Sequence, residues 1–332
     1  MKLSIAALAI AGSTLMAQAQ TPLPAPGFHH LQLNSVDPDR AIDFYTRHFA
    51  STSRTTWGGA PALKSANNVL ILFNKVAAKP TIEPQSAIWH FGWHVTDLRE
   101  TQAFMRSSNE ARMYRMHTGD GDRMVDTSAD TWPGTGAVLG LNAGQIAEAK
   151  ARGDAPGGRA NGFGYILGPD DAIIEYQGGQ PVERMNHVHM WQDEVFCARV
   201  WYEKHLNAAR SPARAGSPPP PTAENCKTAR GPDRTWPAFP KDGMFRTPTA
   251  AVLFGDVAMT WYMNQGDKPL ADTRGQLYDH IGLSVGDLDA WIAKLRGEGV
   301  KFLRDGAYEF GDTRAAMIEG PSREALVLVE VK

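Results

Sequence analysis

Four histidines each open a short segment of the same kind, and histidine is a common ligand of metal ions in enzymes. In every copy an acidic residue follows seven positions after the histidine. The four segments are His30–Asp37, His90–Asp97, His187–Glu194 and His280–Asp287. A carboxylate, Glu175, also stands within the otherwise apolar segment 173–176. A buried carboxylate without a partner costs several kcal/mol, so this glutamate argues against a purely structural chain.

The repeated segments predict the elements that must position these side chains. Each histidine opens an alternating or apolar stretch typical of a strand, and the acidic residue stands where a helix needs its cap or first-turn negative charge. Bulky side chains recur 14 to 15 positions after the histidine, as at Phe44, Trp201 and Leu295, which predicts the buried face of that helix. The repeat unit is therefore a strand followed by a helix.

Apolar stretches after each helix predict further strands. They span 69–73 in the first unit, 163–167 and 172–176 in the second, 252–254 and 258–262 in the third, and 315–318 and 325–331 in the fourth. Each unit then consists of one strand, one helix and several strands. The histidines are 60, 97 and 93 positions apart, so the second and third units carry insertions.

The two insertions differ in character. The segment 119–153 is rich in Asp and Gly and includes the helix-prone stretch 143–152, whereas 208–242 contains four consecutive prolines. Proline has no amide donor and a fixed φ, so that run must be an extended surface segment. Cys226 lies in this insertion and Cys197 on the third predicted helix. A disulfide between them would tie the loop to the scaffold, and two unpaired thiols remain the alternative.

Composition limits the class of partner. The 332 residues include 34 Lys and Arg against 36 Asp and Glu, and this near balance gives no electrostatic reason to expect nucleic acid or an anionic membrane. A small-molecule substrate is the expected partner, and the oligomeric state stays open. The length permits two domains, each large enough to bury a core.

The N-terminus has the pattern of a secretory signal peptide. A lysine is followed by a mostly apolar or small stretch, which ends at 17–19 in Ala-Gln-Ala. Cleavage is expected after residue 19, which would give a secreted or periplasmic protein with no membrane attachment. An uncleaved anchor is the alternative, although the apolar stretch is short for one.

The four units together resemble the vicinal oxygen chelate superfamily, which includes glyoxalase, bleomycin-resistance, fosfomycin-resistance and extradiol dioxygenase proteins. The most specific piece of the resemblance is the segment 164–176, in which Tyr165, a Pro-Asp-Asp turn and Glu175 follow at fixed spacing. The resemblance implies an α+β fold in which four βαβββ modules pair into two open β-barrel-like domains. The expected domains are 20–183, with modules 1 and 2 and the metal site, and 184–332, with modules 3 and 4.

The resemblance also implies a divalent metal ion held by His30, His90 and Glu175. Two neutral imidazoles and one carboxylate can hold an ion while leaving positions open for substrate, water or dioxygen. Tyr165 is expected to point into the same cavity as a hydrogen-bond donor or proton shuttle, with a locally satisfied strand tyrosine as the alternative. His94 shares the face of His90 and is a second candidate catalytic residue, with a structural histidine as the favoured alternative.

The second half departs from the family pattern. Alignment on the Glu175 hairpin places Val327 where the carboxylate should stand, so the site of 184–332 is expected to be degenerate. Glu330 comes three positions later, and an odd shift along a strand turns it to the opposite face. The usual additional histidine of the dioxygenases has no visible counterpart.

Three functions remain open at this stage. The first is a metal-dependent enzyme acting on a small oxygenated molecule, with Fe²⁺ dioxygenase chemistry in the lead because of the two-histidine, one-carboxylate set. The second is a glyoxalase-like lyase or isomerase with Mn²⁺, Zn²⁺ or Ni²⁺ as Lewis acid. The third is a metal-free binding protein similar to bleomycin-resistance proteins.

Overall fold

The structure is a computed structural model that describes residues 22–117, 124–130, 147–148, 151–153, 161–211, 219–228, 249–264 and 268–331. The predicted signal peptide and most of both predicted insertions lie outside the described residues. No helix in the described part of the chain has the length and hydropathy needed to cross a membrane.

Each predicted module is present as a strand, a helix and further strands. The first contains β1 (Gly27–Ser35), α1 (Pro38–His48), β2 (Thr52–Trp57), β3 (Ala60–Ser65) and β4 (Leu70–Lys75). The second contains β5 (Ile88–His94), α2 (Leu98–Ser107), β6 (Arg112–Met113), a small hairpin of β7 (Met116–His117) and β8 (Met124–Val125), then β9 (Phe163–Leu167) and β10 (Ile173–Gln177).

The third and fourth modules follow the same order. The third contains β11 (Arg184–Gln192), α3 (Val195–Leu206), β12 (Ala209–Arg210), β13 (Thr249–Phe254) and β14 (Val257–Met263). The fourth contains β15 (Tyr278–Val285), α4 (Leu288–Gly297), β16 (Tyr308–Phe310), β17 (Thr313–Glu319) and β18 (Ala325–Glu330). The predicted α+β class and the four modules are confirmed.

The modules form two eight-stranded mixed sheets, and each sheet joins two modules through their first strands. One sheet has the order β16-β17-β18-β15-β1-β4-β3-β2, and the other has the order β12-β13-β14-β11-β5-β10-β9-β6. Module 1 therefore pairs with module 4, and module 2 with module 3. The expected pairing of modules 1 with 2 (20–183) and 3 with 4 (184–332) is wrong. Every module offers an equivalent free edge on its first strand, so the repeat pattern alone allows more than one pairing.

The acidic residues that follow the histidines begin the helices as predicted in three modules. Asp37, Asp97 and Asp287 each accept a hydrogen bond from a backbone N–H of the first helical turn. Glu194 occupies the same position in module 3 but makes no capping bond. Its carboxylate instead accepts the backbone N–H of Thr228 at 2.8 Å.

The apolar faces of the sheets and the helices form the main core. Tyr45 and Phe49, from α1 and its C-terminal cap, stack against Trp93 of β5 in the other sheet, with ring centroids 5.8 and 4.4 Å apart. The buried hydroxyl of Tyr278 on β15 accepts the N–H of Ile173 at 2.7 Å, which joins the two sheets by a hydrogen bond. The alternate side chains of the first strands face away from this core, and His30, His90, His187 and His280 are among them.

A disulfide joins Cys197 of α3 to Cys226, whose Cα atoms lie 4.8 Å apart. It connects the third helix to the described part of the second insertion, 219–228. The pairing that the sequence left open is therefore formed.

Position 282, where the first strands of modules 1 and 4 pair, requires glycine. Gly282 lies opposite His30 in the antiparallel pair, and a Cβ at position 282 would stand 1.9 Å from His30 Nδ1. Gly286, just after the same strand, has open space around its Cβ position. The His30 ring is fully buried, so it has little room to move.

We therefore expect Gly282→Ala to lower the free energy of unfolding by about 1–3 kcal/mol through overpacking. The matched control Gly286→Ala should change it by less than about 0.5 kcal/mol. Urea denaturation of both variants and the wild type measures the difference. Equal stability of the two variants would contradict the close packing of His30 against Gly282.

Candidate metal centre

Three adjacent strands of the second sheet bring one carboxylate and three imidazoles together. In the antiparallel pair β5–β11, His90 lies opposite His189 and Gly92 lies opposite His187. In the parallel pair β5–β10, Glu175 is aligned with Gly92. Because side chains alternate along a strand, these four polar side chains project from the same face of the sheet.

The three imidazoles converge on the Glu175 carboxylate. Its Oε2 atom lies 3.0 Å from His90 Nε2, 3.5 Å from His189 Nδ1 and 3.8 Å from His187 Nε2. The four candidate ligand atoms all lie within 4.8 Å of one another, and the four residues are buried. Ligand atoms that surround one ion at about 2.0–2.2 Å are about 3.0–3.5 Å apart, so the cluster has the size of a metal centre.

In two of the imidazoles, a hydrogen bond to one ring nitrogen leaves the lone pair of the other nitrogen facing Glu175. His187 Nδ1 lies 3.0 Å from Asn186 Oδ1, which accepts its proton and places the lone pair of the ring on Nε2, toward Glu175. His189 Nε2 lies 3.5 Å from the hydroxyl of Tyr262, so its Nδ1 can present a lone pair to the same carboxylate. Lone pairs that face a carboxylate repel it unless a cation lies between them, and this donor set therefore fits a divalent ion.

Glycine at position 92 makes room for the cluster. A Cβ there would stand 2.5 Å from Cε1 and Nε2 of His187 and 2.8 Å from the backbone oxygen of Glu175. Any side chain at this position would therefore displace His187.

Tyr165 stands next to the cluster, as the sequence predicted. It lies directly opposite Glu175 in the antiparallel pair β9–β10, so both side chains project from one face. Its buried ring packs edge-on against the His90 ring, with centroids 5.0 Å apart. Tyr165 is therefore placed beside any molecule that the cluster binds.

Aromatic side chains surround the imidazoles. Trp89 stacks on Trp191 with centroids 4.5 Å apart and packs against His90 at 4.2 Å. Tyr262 packs edge-on against His189 at 5.1 Å. These rings make the surroundings of the polar cluster apolar, which strengthens electrostatic interactions within it.

Two of the three predicted metal ligands are at this centre and the third is not. His90 and Glu175 contact each other, whereas His30 lies in the other sheet and contacts His280, Nε2 to Nε2, at 3.1 Å. His30 is therefore wrong as a ligand of this site. The reason is the module pairing, because the first strand that lies beside β5 is β11 and not β1.

His94, the other candidate catalytic residue, lies at the far end of β5. It is aligned with Gln177 and Arg184 on the neighbouring strands and lies four residues, or about 13 Å, along the strand from His90. Partial burial and the nearby Arg184 lower its pKa, while a hydrogen bond with Gln177 opposes this. The structure does not bring His94 to the cluster.

Two of the clustered histidines were not predicted as ligands from the sequence. The sequence places His187 in the half whose site is expected to be degenerate, and it gives no prediction for His189. A signal was present, since two histidines two positions apart on a strand share one face and can reach the same ion. The expectation that the metal site lies within 20–183 is thus wrong, because β11 supplies His187 and His189.

The position of Glu175 has no carboxylate counterpart in the other modules. In the second module, Glu175 is aligned with Gly92 across a parallel strand pair. The equivalent pairs of the other modules align Leu72 with Gln32, Thr260 with His189 and Val327 with Gly282. The prediction that Val327 replaces the carboxylate in module 4 is confirmed. Within the described residues, the group around Glu175 is the one cluster in which three or more metal-binding side chains could share an ion.

Solved structures have a similar fold. Glyoxalase I from Zea mays has a TM-score of 0.57 with 14% sequence identity, covering 92% of this chain and 92% of that chain. A point mutant of the same maize enzyme also has a TM-score of 0.57, with 15% identity over 92% of this chain and 94% of that chain. A "putative dioxygenase from Bacillus subtilis" has a TM-score of 0.54 with 9% identity, covering 93% of this chain and 86% of that chain.

This chain has the vicinal oxygen chelate fold. No sequence family matches the chain, and no curated protein matches it in sequence. At such low identity the structural likeness shows the fold alone. The chemistry of this chain therefore depends on the residues of its own cluster.

We expect the wild-type protein to bind about one divalent ion per chain. His187→Ala and Glu175→Gln should each lower the affinity more than about 100-fold, because each removes one of four converging groups. His30→Ala is the matched control and should bind like the wild type, since His30 lies in the other sheet. Elemental analysis and competition with a chelator measure the affinity. Loss of the ion in His30→Ala with retention in His187→Ala would contradict this assignment.

Asn186 offers a test of the ring orientation. Asn186→Leu keeps the side-chain volume but removes the acceptor of the His187 Nδ1 proton, and it should weaken metal affinity about 10- to 100-fold. The same titration measures it, with circular dichroism to confirm folding. Unchanged affinity would show that Asn186 does not orient the ring.

Proposed function

We propose that this protein is a metal-dependent enzyme that acts on a small oxygenated organic molecule. The observation that carries the proposal is the buried cluster of His90, Glu175, His187 and His189, whose ligand atoms lie within 4.8 Å of one another. Such a set is costly to bury without a cation. The zinc, manganese, nickel and ferrous ions all accept imidazole and carboxylate ligands, so the donor set does not select one of them.

A bound divalent ion would supply Lewis acidity, which polarises a carbonyl or hydroxyl oxygen of the substrate. The residues of the chain hold and surround that substrate. Glu175 is the carboxylate of the cluster and is the candidate acceptor for a proton removed from carbon. Tyr165, on the neighbouring strand, is the candidate donor of a proton or hydrogen bond to a substrate oxygen. Trp89 and Trp191 exclude water from one side of the cluster.

The number of candidate ligands favours lyase or isomerase chemistry over ring cleavage. If all four residues held the ion, fewer positions would remain for other molecules than with three protein ligands, and a substrate that binds through two neighbouring oxygens would fill them. Ring cleavage by a ferrous dioxygenase needs a further position for dioxygen, which three protein ligands allow. The ferrous dioxygenase remains the second candidate, because His90, His187 and Glu175 by themselves form a two-histidine, one-carboxylate set.

We further propose that the protein works outside the cytoplasm. The disulfide between Cys197 and Cys226 supports this, because disulfides persist in oxidising compartments. The N-terminal sequence pattern agrees with export.

The test loads the metal-free protein anaerobically with Zn²⁺, Mn²⁺, Ni²⁺ or Fe²⁺. Each form is assayed with 2-oxoaldehyde–thiol adducts and α-hydroxyketones for isomerisation, and with catechols for oxygen uptake. Conversion without oxygen uptake is expected, and oxygen uptake restricted to the ferrous form with a catechol would favour the second candidate. A wild-type protein that binds none of these ions would overturn both.

Tyr165→Phe should lower kcat about 100-fold or more if its hydroxyl donates to the substrate, with metal content unchanged. His30→Ala is the control and should retain activity within a few-fold. A kcat for Tyr165→Phe equal to that of the wild type would assign Tyr165 a structural role.

A further inference from the structure

The first sheet contains a cavity that the metal centre does not use. It has a volume of about 480 Å³ and lies between modules 1 and 4. Its lining includes Gln32, Asn74, His280, Arg274, Arg304 and Phe310. Ligand pockets in proteins are commonly about 300–1,000 Å³, so its size suits a small organic molecule.

The histidines of this sheet are committed to one another rather than to an ion. His280 Nδ1 lies 2.6 Å from Asp279 Oδ1, His280 Nε2 lies 3.1 Å from His30 Nε2, and His30 Nδ1 lies 2.8 Å from His29 Nδ1. Each ring can donate one proton to the next group, so that all three are neutral. Burial lowers the pKa of each ring, for His29 to about 4, which agrees with neutral imidazoles.

A carboxylate is also absent from the position that Glu175 holds in the other sheet. Leu72 and Val327 occupy the two corresponding positions, and both are buried. The Nε2 atoms of His30 and His280 are hydrogen-bonded to each other. No carboxylate at the position of Glu175 is present to hold a divalent ion together with these two rings. This cavity therefore differs in chemistry from the metal centre.

Two guanidinium groups give the cavity a positive wall. Arg274 forms an ion pair with Asp279 at 2.8 Å, and its side chain remains about half exposed. The Arg304 guanidinium lies over the Tyr308 ring, 4.2 Å from the centroid, and forms no ion pair within the described residues. Burial raises the pKa of Tyr308 to about 12, and the negative charge of Asp279 adds to this, while the positive charges of Arg274 and Arg304 act to lower it.

Within the described residues, the nearby carboxylates pair with Arg274 but not with Arg304. Asp279 is already engaged by Arg274, by His280 and by the backbone N–H of Gly275 at 2.7 Å. Glu309, between Tyr308 and Phe310 on β16, also lines the cavity, but in the part of the chain that the structure describes it forms no ion pair with Arg304. Arg304 is therefore the cation that is available to a ligand.

One side of the cavity wall is apolar or aromatic. Phe310 stacks on the buried His30 ring with centroids 5.3 Å apart, and Trp57 lies near Phe310 at 6.2 Å. Leu72 and Met317 complete this side of the lining. An apolar body can bury its surface here while a negatively charged end faces the guanidinium groups.

We propose that this cavity binds a small organic carboxylate with an aromatic or branched apolar body, and binds it without a metal ion. The site is separate from the proposed enzymatic centre and does not depend on it. Binding occurs through Arg304 at one end of the cavity and through the Phe310 side at the other.

Isothermal titration with benzoate, 4-methylpentanoate, benzamide and inorganic phosphate tests the proposal on the full chain. Benzoate or 4-methylpentanoate should bind, and benzamide should bind at least about tenfold more weakly, because it lacks the charge that pairs with a guanidinium. Inorganic phosphate should also bind more weakly, since it has no apolar body. Absence of binding by both carboxylates, or equal binding of benzamide or phosphate, would overturn the proposal.

Single substitutions test whether the carboxylate binds in this cavity. Arg304→Gln should weaken carboxylate binding about tenfold or more. Met317→Trp should block it by filling the cavity, with thermal unfolding used to confirm that the variant is folded. The matched control Arg296→Gln removes an exposed arginine that pairs with Asp305 outside the cavity, and should bind like the wild type.

His187→Ala separates this site from the metal centre. It should lose the ion but retain carboxylate binding, because β11 is not part of the first sheet. Carboxylate binding that is lost in His187→Ala and kept in Arg304→Gln would place the ligand at the metal centre and overturn the second site.

Discussion

The antiparallel contact between the first strands of paired modules is the constraint on which both sites depend. In one sheet it places His187 opposite Gly92, and in the other it places His30 opposite Gly282. A Cβ at either glycine would stand within 2.5 Å of the facing ring, so each histidine lies over the backbone of the partner strand. The same contact places His90 beside His187 and His280 beside His30. Two imidazoles from different modules thus meet at the centre of each sheet.

What differs between the sheets is the chemistry added to this common arrangement. In the second sheet, Glu175 and His189 complete a set of four polar groups around one point. In the first sheet, the corresponding positions hold Leu72 or Val327 and Gln32, and the two histidines hydrogen-bond to each other. A few side chains at equivalent positions therefore decide whether the arrangement can hold a cation or encloses a cavity with a cationic wall.

The aromatic residues around the metal centre have a consequence for its chemistry. Trp89, Trp191 and Tyr262 surround imidazoles that would otherwise be solvated, and the electrostatic interactions of Glu175 strengthen in such surroundings. The core on the opposite face, with Tyr45 and Phe49 against Trp93, keeps β5 in place. The cluster is thus held by strands rather than by loops, which favours precise geometry.

The sequence by itself determined the repeat unit, the α+β class, three of the four helix caps, and His90, Glu175 and Tyr165 as neighbours at one site. These features depend on local patterns, namely strand alternation, capping residues and the spacing of one hairpin. The tertiary structure alone decided which modules pair, because all four first strands offer equivalent edges and the repeat does not distinguish among them. The pairing of modules 2 and 3 makes His187 and His189, and not His30, the neighbours of Glu175. These histidines reach Glu175 only because β11 lies beside β5.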